Sequence, residues 1–290
     1  MKAPIDFKIF FHSGAREHLN KLIGLALKED GQDLTSRAVF GPEDTCTASI
    51  LARQETLVVG LPLINMILDR IPGKGEVTLM VQEGSLVASQ TLVAHVSGHC
   101  RKILQAERII LNFMARLSGI ANLTRAYFQE IQGTGVFLLD TRKTTPGLRY
   151  LEKYAVRLGG GLNHRLDLEE MLMLKDNHID QAGGISGAVT LLKDTYYSSC
   201  PPIEVECRTL DDVREAVNTG VDRIMLDNMG IHEIRAALKD ISEAGLESEI
   251  SGGVSLHNIR ELALLGPTYI SVGALTHSAV AADFSMSMDA

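Results

Sequence analysis

The sequence predicts an α/β protein in which an α+β module precedes a parallel βα barrel that is complete or lacks one strand. Three observations support this fold class. The chain has 290 residues, about twice the ~150 residues of a typical domain. Hydrophobic residues make up 45% of it, which is enough to build a buried core. The pattern of apolar residues also changes near residue 135, which predicts a boundary between domains at 134 and 135.

The first part of the chain has the pattern of an α+β module. Residues 15–28 carry apolar side chains at helical spacing and are followed by the acidic, turn-like segment EDGQDLTS. Segments 46–60 and 76–98 have the composition of strands separated by Gly and Pro turns. Residues 101–117 predict an amphipathic helix, one side of which carries Leu104, Arg108, Leu111 and Ala115.

The second part contains short apolar runs, each ending in a polar residue or glycine and separated by enough residues to hold a helix. Seven such runs are predicted as strands: VFLLD (136–140), AVRLG (155–159), MLMLK (171–175), IEVEC (203–207), RIMLD (223–227), SEIS (248–251) and YISVG (269–273). Repetition of a strand and a helix predicts a parallel barrel.

Chemistry in such a barrel lies at the carboxyl ends of the strands. The strand-end residues expected to converge there are Asp140, Lys175, Glu206, Asp227, Ser251 and Gly273. Alternation along a strand also places Glu204 and Glu206 on one face of IEVEC, and Met225 and Asp227 on one face of RIMLD. The sequence therefore predicts carboxylates that point into the barrel and require cations nearby.

Segment 142–165 supplies those cations. It contains six Lys or Arg residues against the single acid Glu152, in a chain whose net charge is −8. A basic segment at the end of a strand in an acidic protein predicts a local anion site. Ser251-Gly252-Gly253 follows a predicted strand, and Val272-Gly273 ends the next one. Backbone N–H groups at such loops bind phosphate.

Composition excludes several other classes. The negative net charge argues against non-specific binding of nucleic acid or anionic membranes. Four scattered cysteines without a C-x-x-C pair argue against a disulfide framework or a zinc cluster. No apolar run approaches the ~18 residues of a membrane span, and the N-terminus does not resemble a signal peptide. We therefore expect a cytoplasmic protein.

Several segments together carry a resemblance to a known family. The stretch 140–179, DTRKTTPGLRYLEKYAVRLGGGLNHRLDLEEMLMLKDNHI, is reinforced by AERIILNFMARLSGIANLT (106–124), IEVEC, IMLDNM, ISGGV and ISVGALTHS. In this order and spacing they resemble quinolinate phosphoribosyltransferase, also called nicotinate-nucleotide pyrophosphorylase (carboxylating). The resemblance covers nearly the whole chain. It implies an N-terminal α/β open sandwich (1–134, including the helices of 101–132) and a seven-stranded, incomplete TIM-like barrel (135–290). The extreme C-terminus is free in this scheme to pack back on the N-terminal domain.

The resemblance also implies an activity and the residues that carry it. The family transfers phosphoribosyl from phosphoribosyl pyrophosphate to quinolinate with loss of CO2, giving nicotinate mononucleotide and pyrophosphate, and uses Mg2+. It acts as an obligate dimer with shared active sites, and the resemblance does not decide whether the dimers form higher oligomers. The implied substrate-binding residues are Arg108 from the partner subunit, Thr141, Arg142, Lys143, His164, Arg165, Lys175, Glu206, Asp227, Ser251, Gly252, Gly253 and Gly273.

Different tasks are implied for these residues. Arg108, Arg142, His164 and Arg165 would hold quinolinate, for whose adjacent carboxylates forked Arg hydrogen bonds are well suited. The residues implied in catalysis are Lys143, Lys175, Glu206 and Asp227. Glu206 and Asp227 would serve the ribose hydroxyls and the metal–pyrophosphate, directly or through water. The Ser251–Gly253 loop and Gly273 would bind the 5′-phosphate.

Alternative interpretations remain at this stage. A related group tied to molybdenum uptake shares the fold but lacks the KDNH run found here at 175–178. A second alternative is a barrel aldolase, in which the strand-end Lys175 would form a Schiff base with the substrate. A non-catalytic phosphate sensor would not need the paired carboxylates. Taken singly, Glu206 and Asp227 are as often structural partners of arginines, His164 is more often a packing residue, and Arg108 a surface residue. The chain differs from the usual sequence of the family at Gln32 and Asp167. Asp167 is close to Arg165 in the sequence, where its negative charge would partly offset the positive charge of the arginine.

Overall fold

The computed structural model describes residues 5–289, which form two compact units. The first unit takes the chain up to Arg125 together with Thr145–Gly160 and the segment from Leu275 onward, and the second takes Ala126–Thr144 and Gly161–Ala274. The predicted domain boundary at 134 and 135 divides the sequence only once, and it stays a prediction. In the division into compact units, residues 126–134 belong to the second unit, whereas residues 145–160 and 275–289 belong to the first.

The first unit is built on a four-stranded antiparallel sheet with helices. Its elements are α1 (Phe7–Phe10), α2 (Ser13–Asp30), α3 (Leu34–Val39), β1 (Thr45–Ala52), β2 (Thr56–Leu57), α4 (Leu61–Leu68), β3 (Gly75–Leu79), β4 (Leu86–Val87), β5 (Thr91–His99) and the first part of α5 (Cys100–Ile131). Later segments add α6 (Arg149–Leu158), most of α12 (Ala274–His277) and β12 (Phe284–Met288). The sheet order is β12-β1-β5-β3. On β1 the side chains of Ala48, Ile50 and Ala52 are buried, as expected for a half-buried strand.

The second unit contains a six-stranded parallel sheet. Its elements are β6 (Phe137–Leu139), β7 (Leu172–Leu174), α7 (Asp176–Ala182), α8 (Ile185–Tyr196), the 3-10 helix Tyr197–Ser199, β8 (Ile203–Cys207), α9 (Leu210–Ala216), β9 (Arg223–Asp227), α10 (Ile231–Glu243), β10 (Glu247–Ser251), α11 (Ile259–Ala263) and β11 (Tyr269–Ser271). The order is β6-β11-β10-β9-β8-β7, and all pairs are parallel. The predicted α/β fold class is confirmed.

One predicted strand is wrong. The run AVRLG lies within α6 and at its end, where Leu151, Tyr154 and Ala155 repeat at helical spacing and are buried. A short apolar run does not distinguish a strand from a helix, because both bury it. The predicted count of seven strands is therefore corrected to six in the described part of the sheet. Leu162 adds one isolated parallel bridge to Leu139 of β6.

Segment 162–164 is held next to β6 by a buried carboxylate. Asp140 follows β6 and its side chain accepts hydrogen bonds from Asn163 Nδ2 at 2.6 Å and from the His164 backbone N–H at 2.9 Å. The Asp140 N–H in turn donates to the Leu162 carbonyl at 3.1 Å. These bonds carry the backbone from the strand end to His164 and Arg165, so Asp140 fixes where both side chains begin.

Within the first unit, α5 packs closely against the backbone of the C-terminal segment. A Cβ at Gly119 would overlap the carbonyl oxygen of Val280, and the Ala282 N–H donates to the Ala115 carbonyl at 2.9 Å. Arg116 adds a bond to the Ala279 carbonyl at 3.1 Å. A glycine at 119 is therefore required for this packing.

We expect Gly119→Ala to destabilise the protein by about 1–3 kcal/mol, because the added methyl meets backbone that cannot rotate away. Gly24→Ala in α2 is the matched control. There the new Cβ would lie 3.5 Å from Arg70 Nη1, an ordinary contact, and alanine favours the helix by up to about 1 kcal/mol. Urea unfolding midpoints measure both effects. Equal midpoints for the two variants would contradict the close packing at Gly119.

Candidate active site

A cavity of about 550 Å³ lies at the carboxyl ends of the parallel strands in the second unit. Its lining includes eleven predicted site residues: Thr141, Arg142, Lys143, His164, Arg165, Lys175, Glu206, Asp227, Ser251, Gly252 and Gly253. Five further residues complete it: Met173, Met225, Asn228, Glu249 and Ser271. The predicted convergence of strand ends therefore holds for Lys175, Glu206, Asp227 and Ser251.

Two predicted site residues lie elsewhere. Arg108 is exposed on α5, in the part of that helix that belongs to the first unit. Gly273 follows β11 but is not among the residues that line the cavity, where Ser271 of the same strand is found instead. The predicted role of Arg108 in a neighbouring subunit stays a prediction.

The basic segment 142–165 does not act as one cluster. Only Arg142, Lys143 and Arg165 of its six cations reach the cavity. Lys153 belongs to α6 and is 0% exposed, so it is a buried charge of the scaffold. Charge density along the chain cannot show this, because residues 149–158 form a helix that belongs to the first unit.

Two arginines of the cavity, Arg142 and Arg165, can bind an anion. Arg165 is 7% exposed and donates one hydrogen bond to the Met171 carbonyl at 2.9 Å. Burial, followed by the nearby Arg142, lowers the pKa of Arg165, whereas Glu204 and Asp167 act in the opposite direction. Arg142 Nε is buried without a hydrogen-bond partner in the part of the chain the structure describes. Two neighbouring guanidinium groups with an unused donor favour a bound carboxylate or phosphate.

Lys175 and Glu206 form an ion pair across the cavity. Lys175 Nζ lies 2.6 Å from Glu206 Oε2. Lys175 is also the N-cap residue of α7, where its backbone N–H donates to His178 Nδ1 at 3.1 Å and its carbonyl accepts from the His178 N–H at 2.8 Å. His178 of the KDNH run thus caps the helix that presents Lys175.

The loop after β10 approaches Asn228 closely. Gly252 has φ +87°, and a Cβ there would overlap the Asn228 side chain. Asn228 itself has φ +54°, and its Nδ2 donates to Asp227 Oδ2 at 2.8 Å while its backbone N–H donates to the Ser251 carbonyl at 3.0 Å. Only glycine fits at 252. Ser251, Gly252 and Gly253 of this loop line the cavity, and backbone N–H groups of such turns can bind phosphate.

A buried carboxyl pair lies behind His164. His164 Nε2 is 2.7 Å from Glu204 Oε2 and 3.7 Å from Glu249 Oε2. Both glutamates are 0% exposed. Burial, and then the neighbouring Glu204, raises the pKa of Glu249 to about 8. The predicted inward face of IEVEC is confirmed, since Glu204 meets His164 and Glu206 lines the cavity.

Sequence reasoning missed Glu249, Asn228 and Ser271. Glu249 has the same parity on β10 as Ser251, so strand alternation contained its signal. Asn228 follows Asp227 directly, and Ser271 shares its parity on β11 with Gly273. None of these signals separates a lining residue from its neighbours unless the orientation of the strand is already known.

Taken together, a parallel α/β sheet with arginines, carboxylates and a glycine turn in one strand-end cavity defines an enzyme that binds anionic, phosphate-bearing substrates. The family model for the N-terminal domain of quinolinate phosphoribosyl transferase matches residues 33–118, and that for its C-terminal domain matches residues 120–287. The chain therefore belongs to the quinolinate phosphoribosyltransferase family.

The individual proteins that are similar to this chain carry names of the same family. A probable nicotinate-nucleotide pyrophosphorylase (carboxylating) of Bacillus subtilis is 38% identical over 270 residues, which cover 92% of each chain. The corresponding Synechocystis protein is 42% identical over 86% of this chain and 85% of its own. Among solved structures, the nicotinate-nucleotide pyrophosphorylase of Francisella tularensis superimposes with a TM-score of 0.90 at 34% identity, covering 97% of this chain and 99% of that one.

No α-helix within residues 5–289 combines the length and apolar content needed to cross a bilayer. All four cysteines are free thiols.

Proposed function

We propose that this chain transfers the phosphoribosyl group of phosphoribosyl pyrophosphate to the ring nitrogen of quinolinate and releases one carboxylate as CO2. The products are nicotinate mononucleotide and pyrophosphate, and the reaction belongs to the de novo synthesis of NAD. One observation carries the proposal beyond family membership: Arg142, His164 and Arg165 share a single cavity with Glu206, Asp227 and the Ser251–Gly253 loop.

The cationic side of the cavity suits the acceptor. Quinolinate carries two carboxylates on adjacent ring positions, and Arg142 and Arg165 offer planar, forked donors to them. The unpartnered Nε of Arg142 gives one carboxylate oxygen a buried donor. An acceptor with a single carboxylate would leave part of this set unpaired, which costs binding energy and gives selectivity.

The acidic side and the glycine loop suit the donor. The Ser251–Gly253 backbone would bind the 5′-phosphate, while Asp227 and Glu206 would accept hydrogen bonds from the ribose hydroxyls. Lys175, held by Glu206 at 2.6 Å, and Lys143 would lie between the acceptor carboxylates and the phosphates. These placements support a substrate bound with its reacting carbon between the two halves of the cavity.

Magnesium fits the donor set of this cavity. Glu206, Asp227, Asn228 and Ser251 all supply oxygen atoms to it, and Mg2+ prefers oxygen ligands together with substrate phosphates. Glu206 and Asp227 would hold it, directly or through water. When bound, the ion would neutralise charge on the leaving pyrophosphate.

The chemistry needs no protein nucleophile. The lone pair of the pyridine nitrogen forms a bond to the ribose carbon as the bond from that carbon to pyrophosphate breaks, through an oxocarbenium-like state. Fixing both substrates in line supplies much of the acceleration. The ribosylated nitrogen is then positive and stabilises the carbanion left when the adjacent carboxylate departs as CO2. That carbon finally takes up a proton.

We further propose a homodimer in which Arg108 of each chain serves the site of its partner, and a cytoplasmic location. The exposed position of Arg108 on α5 leaves it available for such a contact. The free cysteines are in keeping with a reducing compartment.

Turnover tests the proposed function. Purified protein with quinolinate, phosphoribosyl pyrophosphate and Mg2+ should form nicotinate mononucleotide. The aldolase alternative predicts instead that borohydride traps a carbonyl substrate on Lys175. The ion pair of Lys175 with Glu206 argues against it, because a Schiff-base lysine needs a free neutral amine. The molybdenum-associated alternative predicts phosphoribosyl transfer to an acceptor other than quinolinate.

A further inference from the structure

Four ionisable groups meet on three adjacent strands and at residue 164. Glu204 lies on β8, Arg223 on β9 and Glu249 on β10. Glu204 and Arg223 are register partners, and Arg223 Nη1 lies 3.3 Å from Glu249 Oε2. His164 Nε2 completes the group at 2.7 Å from Glu204. Of the four, only His164 and Glu249 line the cavity.

Burial of these ionisable groups lowers the free energy of unfolding. Two glutamates with no exposed surface pay a large desolvation penalty, and an apolar pair of similar volume would stabilise a core as well or better. The imidazole that they contact lines the substrate cavity beside Arg165. A charged group retained next to a binding residue points to control of that residue.

The contact with Glu204 determines what the imidazole can do. A carboxyl group bound to one ring nitrogen fixes the orientation of a histidine ring. Glu204 at 2.7 Å is the nearer of the two acids. Arg223 offsets the negative charge of Glu249 and is itself held by Glu247 at 2.9 Å. Arg223 and Glu249 also interact with Glu204, and His164 is the cavity-lining group that Glu204 contacts at 2.7 Å.

We propose that Glu204 is a positioning residue for the acceptor: its 2.7 Å contact with Nε2 holds the His164 imidazole oriented toward a carboxylate of the aromatic dicarboxylate, and so sets affinity for the acceptor and not for the phosphoribosyl donor. This inference rests on the proposed function. Glu204 itself does not line the cavity and would act through His164.

The test compares two glutamate-to-glutamine variants. Glu204→Gln is expected to raise the KM for quinolinate about 10-fold, the loss of one charge-assisted hydrogen bond, and to change the KM for phosphoribosyl pyrophosphate less than about twofold. Glu247→Gln is the matched control, because Glu247 also contacts Arg223 but lies at the exposed start of β10. It should leave both constants unchanged.

A double variant separates positioning from general damage. His164→Asn should raise the KM for quinolinate, and adding Glu204→Gln should raise it no further, since both changes remove the same interaction. Additive effects, or equal changes in both KM values, would overturn the proposal. If Glu204→Gln does not fold, Glu204→Asp should show the same selective rise, because its shorter side chain withdraws from His164; an unchanged KM in that variant would overturn it too. Absence of turnover in the wild type would refute the proposed function instead.

Discussion

Arg142→Ala is expected to lose about 100-fold or more in kcat/KM for quinolinate. Its guanidinium lines the cavity and carries a buried donor with no partner in the described chain. Removing one member of a buried, charge-assisted contact costs roughly 2–5 kcal/mol. Steady-state kinetics measure the loss. Arg214→Ala on α9 is the control, since Arg214 is largely exposed and does not line the cavity. A loss below about threefold would remove Arg142 from the acceptor site.

The same variant tests the proposed sharing of active sites. Arg108→Ala and Arg142→Ala should each be nearly inactive as homodimers. In a mixed dimer, one site then carries both lesions and the other carries none. With random pairing, about half of the dimers are mixed, so roughly a quarter of the wild-type activity should return. If Arg108 serves its own chain, every site keeps one lesion and mixing restores no activity.

Chelation of divalent ions is expected to abolish turnover, and Asp227→Asn should lower kcat/KM for phosphoribosyl pyrophosphate by about 100-fold. Asp227 lines the cavity beside Asn228 and offers the oxygen that both a ribose hydroxyl and Mg2+ require. The KM for quinolinate should change much less, because the arginines remain. Kinetics with each substrate varied in turn measure the difference.

Two controls complete that test. Asp180→Asn removes a carboxylate that pairs with Arg208 at 3.0 Å outside the cavity, and it should leave both constants unchanged. Adding back Mg2+ should restore the chelated enzyme. Undiminished turnover in excess chelator would remove the metal from the mechanism, whereas equal losses for both substrates in Asp227→Asn would assign Asp227 a scaffold role.

Strand-end chemistry was predictable from the sequence because two simple rules apply to parallel sheets. The carboxyl ends of all strands meet at one edge, and side chains alternate between faces. These rules place Glu206, Asp227 and Ser251 together before any coordinates are known, and the cavity contains all three. They also explain why Gly252 is expected at the same cavity, since its loop follows directly from β10, and it lies there.

Other features depend on tertiary structure and could not be predicted in this way. The run at 155–159 is helical because Leu151 and Tyr154 upstream extend its apolar face, which a five-residue window does not contain. Asp140 appeared as a strand-end acid for chemistry, yet it holds the segment before His164. Its environment shows that role, whereas its position in the sequence does not.

Recognition of a dicarboxylate and loss of one of its carboxylates distinguish the proposed activity from transfer to nicotinate. The most direct measurement supplies phosphoribosyl pyrophosphate, Mg2+ and either quinolinate or nicotinate, and follows nicotinate mononucleotide and CO2 together. We expect one CO2 for each nucleotide formed from quinolinate and little nucleotide from nicotinate, because Arg142 and Arg165 in the cavity would pair with the second carboxylate. Equal turnover of nicotinate, or nucleotide formed without CO2, would contradict the proposed activity.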